Sequence, residues 1–149
     1  MAKTEPSCPF CSAQREARVV AESGSMVALA DGFPVTEGHM LVVPRRHVAD
    51  YFDLTVRERR DAYELLWLLR SRARKMDKRI TGFNVGVNVG ASAGQTVMHC
   101  HIHLIPRRDG DVADPRGGVR GVIPSKQKYG RPAAGRTPAK TRQRPKRTR

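Results

Sequence analysis

The sequence of 149 residues contains no long apolar run. No stretch approaches the roughly 18 consecutive apolar residues that a membrane-spanning helix needs, and residues 1–7 lack the hydrophobic core of a secretory signal peptide. These absences favour a cytoplasmic protein over a membrane-spanning or secreted one. No internal repeat is present, and the length accommodates one domain with a hydrophobic core.

Cysteine is scarce, and its number is odd. The chain has three cysteines, two of them in the tetrapeptide Cys8-Pro9-Phe10-Cys11, whereas a disulfide framework uses pairs and forms in oxidising compartments. Two cysteines at this spacing are typical of a metal site. A thioredoxin-like redox motif is the weaker alternative, since no βαβ pattern surrounds the pair. Cys100 is expected to be an inert core thiol.

Acidic residues are missing from the end of the chain. Residues 126–149 contain ten Lys or Arg and no Asp or Glu, which leaves only +4 of the net charge of +14 to residues 1–125. Residues 131–149 also lack the apolar side chains that would offset the entropy of ordering. We therefore expect a folded domain over residues 1–130 and a disordered basic tail over residues 131–149. Without aromatic residues to stack on bases, the tail is expected to bind nucleic acid or another polyanion weakly, through charge alone.

A long amphipathic helix is predicted in the middle of the chain. Thr55 and Glu58 have the spacing of a capping box, and an apolar stripe follows at intervals of three and four residues up to about residue 79, with Gly82 as the helix end. Tyr63 and Trp67 lie on a neighbouring face, where they either widen the core contact or form a subunit interface. Strands are predicted over residues 18–21, 26–30, 39–43 and 83–89. A hairpin turn is expected at Ser23-Gly24-Ser25 between the first two strands, and the last strand is expected to pair antiparallel with the segment Gln95 to Pro106.

Three of the five histidines occur at every second position of one segment, Gln95 to Pro106. Side chains two residues apart on a β-strand point to the same face, so His99, His101 and His103 are expected to form a row of imidazoles. A strand with histidines placed by chance is the alternative, but strand propensity does not select histidine at alternate positions. The residues between them, which would pack on the other face, are Met98, Cys100, Ile102 and Leu104.

This segment resembles the signature of the histidine triad (HIT) superfamily. In that family histidines alternate with hydrophobic residues, and a Gly-Gln-Ser/Thr element, here Gly94-Gln95-Thr96, lies just upstream. The resemblance covers about residues 8–129. It implies an α+β fold with an antiparallel sheet of about five strands and one long helix on the apolar face of the sheet, and a homodimer, as in many members. It also rests on Asp31, the segment from Gly38 to Pro44, and Asn88.

The resemblance assigns roles to the histidines. An imidazole is nucleophilic when one nitrogen is unprotonated and an acceptor holds the other. In the family the central histidine attacks the α-phosphorus of a nucleotide and forms a nucleotidyl-histidine that water hydrolyses, which implies that His101 is the nucleophile. His103 is then the flanking histidine that contacts phosphate or assists the leaving group. The positions implied to bind substrate are Asp31 for the ribose, His39 for the nucleoside pocket, and Asn88, Gln95 and Thr96 for phosphate.

The resemblance also implies a structural zinc site. Some members bind zinc through two N-terminal cysteines, a histidine after the third strand and the first histidine of the triad. Such a site would fasten the N-terminal segment to the sheet and withdraw the first histidine from chemistry. The matching residues are Cys8, Cys11, His47 and His99, a set that suits a closed tetrahedral site.

The implied activity is hydrolysis of a nucleotide phosphoanhydride or phosphoramidate. Three features together resemble the bacterial diadenosine polyphosphate hydrolases: Asn88, Gly94-Gln95-Thr96 and the segment from Pro115 to Gly121, whose arginines suit a substrate with several phosphates. A solvated charged loop is the alternative for this segment. Related transferases replace the third histidine with glutamine, so His103 favours a hydrolase over a nucleotidyl transferase or phosphorylase. A further alternative is a nucleic-acid-associated module that processes adenylated DNA.

Overall fold

The computed structural model describes residues 5–11 and 13–128 of the chain. The chain divides into two compact units between Pro115 and Arg116. The described residues of the second unit form two short 3₁₀ turns, Gly118–Val122 and Pro124–Lys126. The predicted disorder of residues 131–149 lies outside the described residues. Among the described helices, none is long and apolar enough to cross a membrane.

The first unit is a five-stranded antiparallel sheet with one long helix packed on it, which confirms the predicted α+β fold. Its elements are β1 (Val19–Ser23), β2 (Met26–Ala30), β3 (Met40–Pro44), α1 (Val56–Met76), β4 (Ile80–Val87) and β5 (Ile102–Arg108). The strands lie in the order β1-β2-β3-β5-β4. Since β5 lies between β3 and β4, the end of the histidine segment is at the interior of the sheet, and β4 is an edge strand.

A tight turn joins β1 to β2, as predicted, and contacts the helix. Gly24 adopts a φ of +52°, a conformation that L side chains rarely occupy, and a Cβ there would meet the Asp61 carboxylate. The backbone N–H and the hydroxyl of Ser25 both donate to Oδ2 of Asp61, at 2.8 and 2.7 Å. These two hydrogen bonds fasten the hairpin to α1.

The predicted capping box begins α1. Thr55 Oγ1 accepts from the Glu58 N–H at 3.1 Å, and Glu58 Oε2 accepts from the Thr55 N–H at 2.7 Å. The Glu58 side chain is buried, and Arg46 donates to both of its oxygens, at 2.6 and 2.9 Å. The Arg46 guanidinium, followed by hydrogen bonds from Thr55, lowers the pKa of Glu58. One carboxylate thus ties the helix start to the loop that follows β3.

Replacing Glu58 with Gln is expected to reduce the free energy of unfolding by about 2–4 kcal/mol, because it leaves the Arg46 guanidinium without its anionic partner. Glu64, in an exposed pair with Arg60, is the matched control, and Glu64→Gln should cost less than about 0.5 kcal/mol. Urea unfolding at neutral pH measures both values. Equal effects of the two substitutions would contradict a special role of Glu58.

The end of α1 differs from the prediction. The helix stops at Met76 rather than near residue 79, because Asp77 terminates it: the N–H and Nε of Arg79 donate to Asp77 Oδ1, at 2.9 and 3.0 Å. Gly82 lies inside β4, opposite Arg107, so it does not end the helix.

The side chains Tyr63 and Trp67 are 69% and 60% exposed. They therefore do not widen the core contact of α1. The alternative made from the sequence, a subunit interface, stays a prediction.

The sheet has an apolar core on each face. Because successive side chains of a strand point to opposite faces, neighbours in β3 belong to different cores. On the α1 face the core consists of Met26, Ala28, Val42, Ala62, Leu65, Leu69, Ile102 and Leu104. On the other face the N-terminal segment covers the strands, and the core consists of Cys8, Phe10, Val27, Leu29, Leu41 and Val43.

The histidine segment is not one continuous strand. Only Ile102–Arg108 pairs in the sheet, and β3 pairs with β5 over residues 40–42 alone. Upstream of Ile102 the chain is held by other contacts: the Cys100 N–H donates to the Val48 carbonyl at 2.7 Å. Met98 is half exposed rather than packed. The expectation that one strand carries all three imidazoles is therefore wrong, since only His103 lies on a strand.

Candidate active site and metal site

The residue His103 lies on the sheet face opposite α1, between two partner strands. It is opposite Leu41 of β3 on one side and Gly86 of β4 on the other. A Cβ at Gly86 would meet no atom within 4 Å, so the surface beside His103 on the β4 side is open. The predicted antiparallel pairing of β4 with the histidine segment is confirmed.

A row of polar side chains leads from Asp31 to the histidine segment. Asp31 Oδ2 lies 3.3 Å from His39 Nδ1, and His39 Nε2 lies 2.9 Å from His103 Nδ1. The Val35 N–H donates to His39 Nδ1 at 3.3 Å, which assigns the proton of a neutral His39 to Nε2. His39 then donates to His103, whose own proton is on Nε2. The sequence pointed to His39 as part of a pocket wall but did not predict this bond.

Burial favours the neutral forms of the two histidines in this row. Desolvation lowers the pKa of His39, an effect that Asp31 partly opposes. Desolvation, followed by the neighbouring His101 and His39, lowers the pKa of His103 to about 4. His103 is therefore a neutral hydrogen-bond donor at pH 7, and its charged form is disfavoured by its neighbours.

This pKa predicts a dependence of stability on pH. Because His103 has a folded pKa near 4 and an ordinary unfolded value of about 6.5, the unfolded chain binds more protons between these values. The contribution of His103 to stability is thus complete above about pH 6.5 and falls as the pH is lowered towards 4. His103→Asn should show a smaller loss of urea midpoint between pH 7 and 5 than the wild type. Parallel pH profiles would contradict the low pKa.

The ring of His101 presents the opposite tautomer. It is buried, and its Nδ1 lies 2.7 Å from the carbonyl oxygen of His99. A carbonyl only accepts, so Nδ1 carries the proton and Nε2 of the neutral ring has a free lone pair. The rings of His101 and His103 are 5.2 Å apart in a T-shaped arrangement. Two adjacent imidazoles therefore offer a nucleophilic nitrogen and an N–H donor.

The turn before the histidines uses Gln95 as an internal brace. Gln95 Oε1 accepts from the Gly90 N–H at 2.8 Å, and its Nε2 donates to the carbonyls of Ala49 and Val97 at 2.9 and 3.2 Å. Its amide donors are thus engaged with backbone rather than directed to solvent. Gly94 has a φ of +89°, and this turn is where the backbone requires glycine.

The other residues expected to bind phosphate surround the same turn. Thr96 is exposed. Asn88 Nδ2 lies 4.0 Å from the position that a Cβ of Gly94 would occupy, so its amide borders the turn. Arg107, which follows the histidines, is engaged elsewhere: it donates to Asn84 at 2.6 Å and to both oxygens of Asp111 at 2.7 Å.

A cavity of about 560 Å³ lies on the α1 face, beside Met40, Leu69 and Ile80. Its lining contains no histidine, cysteine or hydroxyl side chain. It lies on the opposite side of the sheet from His103, so it is separate from the histidine site.

Two cysteines and two histidines from distant parts of the chain meet beneath the N-terminal segment. Cys8 Sγ lies 3.5 Å and Cys11 Sγ 3.4 Å from His99 Nδ1, and Cys11 Sγ lies 3.4 Å from His47 Nδ1. Ligands of a tetrahedral zinc at about 2.3 Å for sulfur and about 2.0 Å for nitrogen are roughly 3.5 Å apart. These four residues could hold a metal ion, as the family resemblance implied.

The surroundings suit a metal ligand role for these residues. His99 Nε2 donates to the Pro44 carbonyl at 2.9 Å, which leaves Nδ1 unprotonated and directed at the thiols. The Phe10 N–H donates to Cys8 Sγ at 3.4 Å. Burial raises the pKa of the Cys8 thiol in the absence of a cation. Bound metal would supply the charge that holds it as a thiolate at neutral pH.

Comparison with known proteins identifies the family. Residues 12–110 match the model of a family described as HIT domain. The chain belongs to the HIT domain family. An uncharacterised HIT-like protein of Mycoplasma genitalium is 36% identical over 107 residues, which cover 70% of this chain and 75% of the relative. The AP-4-A phosphorylase of Mycobacterium tuberculosis is 37% identical over 113 residues, which cover 71% of this HIT protein and 56% of the phosphorylase.

Solved structures share the HIT fold. A zinc-bound histidine triad family protein from Mycobacterium smegmatis superposes with a TM-score of 0.58 and 31% identity, over 72% of this chain and 80% of that one. Diadenosine triphosphate hydrolase from Plasmodium falciparum superposes with a TM-score of 0.60 and 28% identity, over 65% of each chain.

Proposed function

We propose that this HIT protein hydrolyses a nucleotide phosphoanhydride through a nucleotidyl-histidine formed on His101. The observation that carries the proposal is the hydrogen bond from His101 Nδ1 to the His99 carbonyl, which leaves Nε2 unprotonated. An adjacent N–H donor on His103 supports a role for that residue at the leaving oxygen. Nucleophile and donor are then held in place before substrate binds, which is a condition for efficient group transfer.

The reaction proceeds in two displacements at phosphorus. The Nε2 lone pair of His101 forms a bond to the α-phosphorus, and the phosphorus–oxygen bond to the leaving group breaks with its electron pair on that oxygen. His103 Nε2–H hydrogen-bonds the oxygen as its charge develops. Water then attacks the phosphorus, the phosphorus–nitrogen bond returns its pair to Nε2 of His101, and the proton of the attacking water is released to solvent.

The row that ends at His103 borders the reaction, and Asp31 Oδ2 lies 3.3 Å from His39 Nδ1. Asp31 and His39 are also the residues that we propose to contact the ribose and the nucleoside. Asn88 and Thr96 would donate to phosphate. Gln95, whose amide donates to backbone carbonyls, would hold the turn beside them.

The substrate class that we propose is a dinucleoside polyphosphate, cleaved to a nucleoside monophosphate and the remaining nucleotide. The names of two similar proteins, AP-4-A phosphorylase and diadenosine triphosphate hydrolase, support this class. Phosphorolysis is the second candidate, because the phosphorylase is 37% identical to this chain. The two reactions differ only in whether water or phosphate attacks the intermediate.

Product analysis tests the proposed function. The protein is incubated with diadenosine polyphosphates, a nucleoside phosphoramidate and adenylated DNA, each with and without inorganic phosphate. We expect AMP from the dinucleotides both with and without phosphate. ADP formed only with phosphate would indicate a phosphorylase. Removal of AMP from adenylated DNA in preference to the dinucleotides would favour the module that processes DNA.

We propose that the cluster of Cys8, Cys11, His47 and His99 binds a structural zinc ion. Zinc suits two thiolates and two imidazoles in a closed tetrahedral site, and a zinc-bound relative with the same fold supports it. The ion would join the N-terminal segment, the loop after β3 and the histidine segment.

We also propose that the protein is a homodimer that uses the exposed side of α1 and the β4 edge. Tyr63 and Trp67 expose large aromatic surface there, and Val85 of β4 is 48% exposed. A contiguous exposed apolar surface of this kind is unusual for monomers.

Trp67→Glu should shift the protein from dimer to monomer in sedimentation. Met76, on the opposite side of α1 and 87% exposed, is the control, since Met76→Glu should leave the dimer intact. A wild type that sediments as a monomer at high concentration would refute this proposal.

For the basic tail, residues 131–149, we propose weak electrostatic binding to polyanions. Eight Lys or Arg without any acidic residue support a strongly salt-dependent affinity.

A further inference from the structure

The tetrapeptide from Cys8 to Cys11 places the ring of Phe10 against His101. The Cys11 N–H donates to the Cys8 carbonyl at 3.0 Å, and the Phe10 N–H donates to Cys8 Sγ at 3.4 Å. The turn therefore fixes the backbone of Phe10. Its side chain is only 5% exposed, so it points inward from the turn rather than to solvent.

The Phe10 ring contacts two histidines that have different proposed roles, His101 as nucleophile and His99 as metal ligand. Its centroid is 5.3 Å from that of His101, at an interplanar angle of 59°, and 5.8 Å from that of His99, at 84°. Aromatic rings at such distances and tilts attract one another. Phe10 thus packs at once against the proposed nucleophile and against a proposed metal ligand.

Arg18 also contacts this turn. The guanidinium carbon of Arg18 lies 5.9 Å from the Phe10 centroid, within the range of a cation–π interaction. Arg18 also donates to the Pro9 carbonyl at 3.3 Å. The Phe10 ring is therefore contacted by the Arg18 guanidinium as well as by the two imidazoles.

The hydrogen bond to the His99 carbonyl fixes one edge of the His101 ring but leaves rotation about that bond. Phe10 on one side and His103 on another restrict this rotation. We infer that Phe10 is a positioning residue for His101: the ring holds Nε2 in its reactive direction and keeps water from the imidazole. Because Phe10 lies between Cys8 and Cys11, the same turn carries two proposed metal ligands and the ring that packs against His101. This inference rests on the proposed function of His101.

Kinetics of three variants test the inference. Phe10→Leu keeps an apolar side chain of similar volume but removes the planar ring, and we expect kcat to fall about 10- to 100-fold with KM within about threefold. Phe10→Tyr retains the ring and should recover most of kcat. Phe83→Leu alters an aromatic residue that packs on the α1 face, so it should lower stability without lowering kcat.

A spectroscopic measurement separates positioning from stability. In protein labelled with ¹⁵N-histidine, with its zinc content verified, His101 of the wild type should show one tautomer, protonated at Nδ1. Phe10→Leu should add a second tautomer or exchange broadening at constant pH, and Phe83→Leu should not.

Two outcomes would overturn the role of Phe10: a change in KM alone, which would indicate contact with substrate, or an unchanged His101 spectrum with unchanged kcat. A wild type without turnover of any tested nucleotide would refute the proposed function. In that case the tautomer comparison still decides whether Phe10 holds the ring.

Discussion

Replacing His101 with Asn is expected to lower turnover of a dinucleoside polyphosphate by about 10³-fold or more. The substitution removes Nε2, the atom that we propose forms the covalent bond to phosphorus, and loss of one member of a catalytic unit removes most of the contribution of the unit. Asn can still donate to the His99 carbonyl that His101 contacts at 2.7 Å, so the local backbone should be retained. Steady-state kinetics on the purified variant measures the effect.

The control for this prediction is His103→Asn. That variant loses an N–H donor and its bond to His39 but keeps the nucleophile, so it should retain more activity than His101→Asn. Both variants should keep the zinc content and nearly the unfolding temperature of the wild type. Comparable residual activity in the two variants would argue that His101 is not chemically distinct from its neighbour.

Loss of the metal cluster is expected to have the largest effect on stability. Cys8→Ser removes one of the four proposed ligands, which come from residues 8–11, 47 and 99, so the energy of binding the proposed metal would be energy of folding. An ion present at 1,000 times its dissociation constant stabilises the folded state by about 4 kcal/mol. We expect the variant to contain little zinc and to unfold at a clearly lower temperature. Metal analysis and thermal unfolding, with and without a chelator, measure this.

Cys100→Ser is the matched control for the metal prediction. Cys100 is buried in a separate apolar cluster with Val48 and Leu54, and desolvation raises the pKa of its thiol to about 12, so it stays protonated. The variant should keep its zinc. Wild-type protein purified without chelators that contains no zinc would contradict the proposed site.

The fold was predictable because its signals are local. The capping box at Thr55 and Glu58 and the Ser23-Gly24-Ser25 turn depend on neighbouring residues, and both form as expected. The end of α1 was not predictable in this way. Asp77 is only a weak helix breaker by propensity, and the contacts of Arg79 and Arg108 with its carboxylate at the helix end involve residues outside the helix.

The histidine segment shows where periodicity alone is insufficient. Alternation predicts a strand only if a partner strand is present, and the pairing of β3 with β5 covers residues 40–42 alone. The chain before Ile102 therefore bends, so that the side chain of His99 joins the cysteines while its carbonyl holds His101. The two functions of one residue follow from this bend, which the sequence pattern does not contain.

Some site contacts had no signal in the sequence. The bond between His39 and His103 joins residues 64 apart, and a single histidine at the start of a strand gives no indication of its partner. The use of both Gln95 amide hydrogens by backbone carbonyls depends on the course of the loop. Phe10 was visible only as an ordinary residue between two cysteines.

The measurement that tests the central claim most directly is the search for the covalent intermediate. The wild type is quenched in alkaline denaturant during turnover of a dinucleoside polyphosphate with labelled α-phosphorus, and its peptides are analysed by mass spectrometry. The account predicts an acid-labile nucleotidyl group on His101 that is absent from His101→Asn. Label on another residue, or turnover by the wild type with no label on His101 at any quench time while His101→Asn remains active, would contradict it.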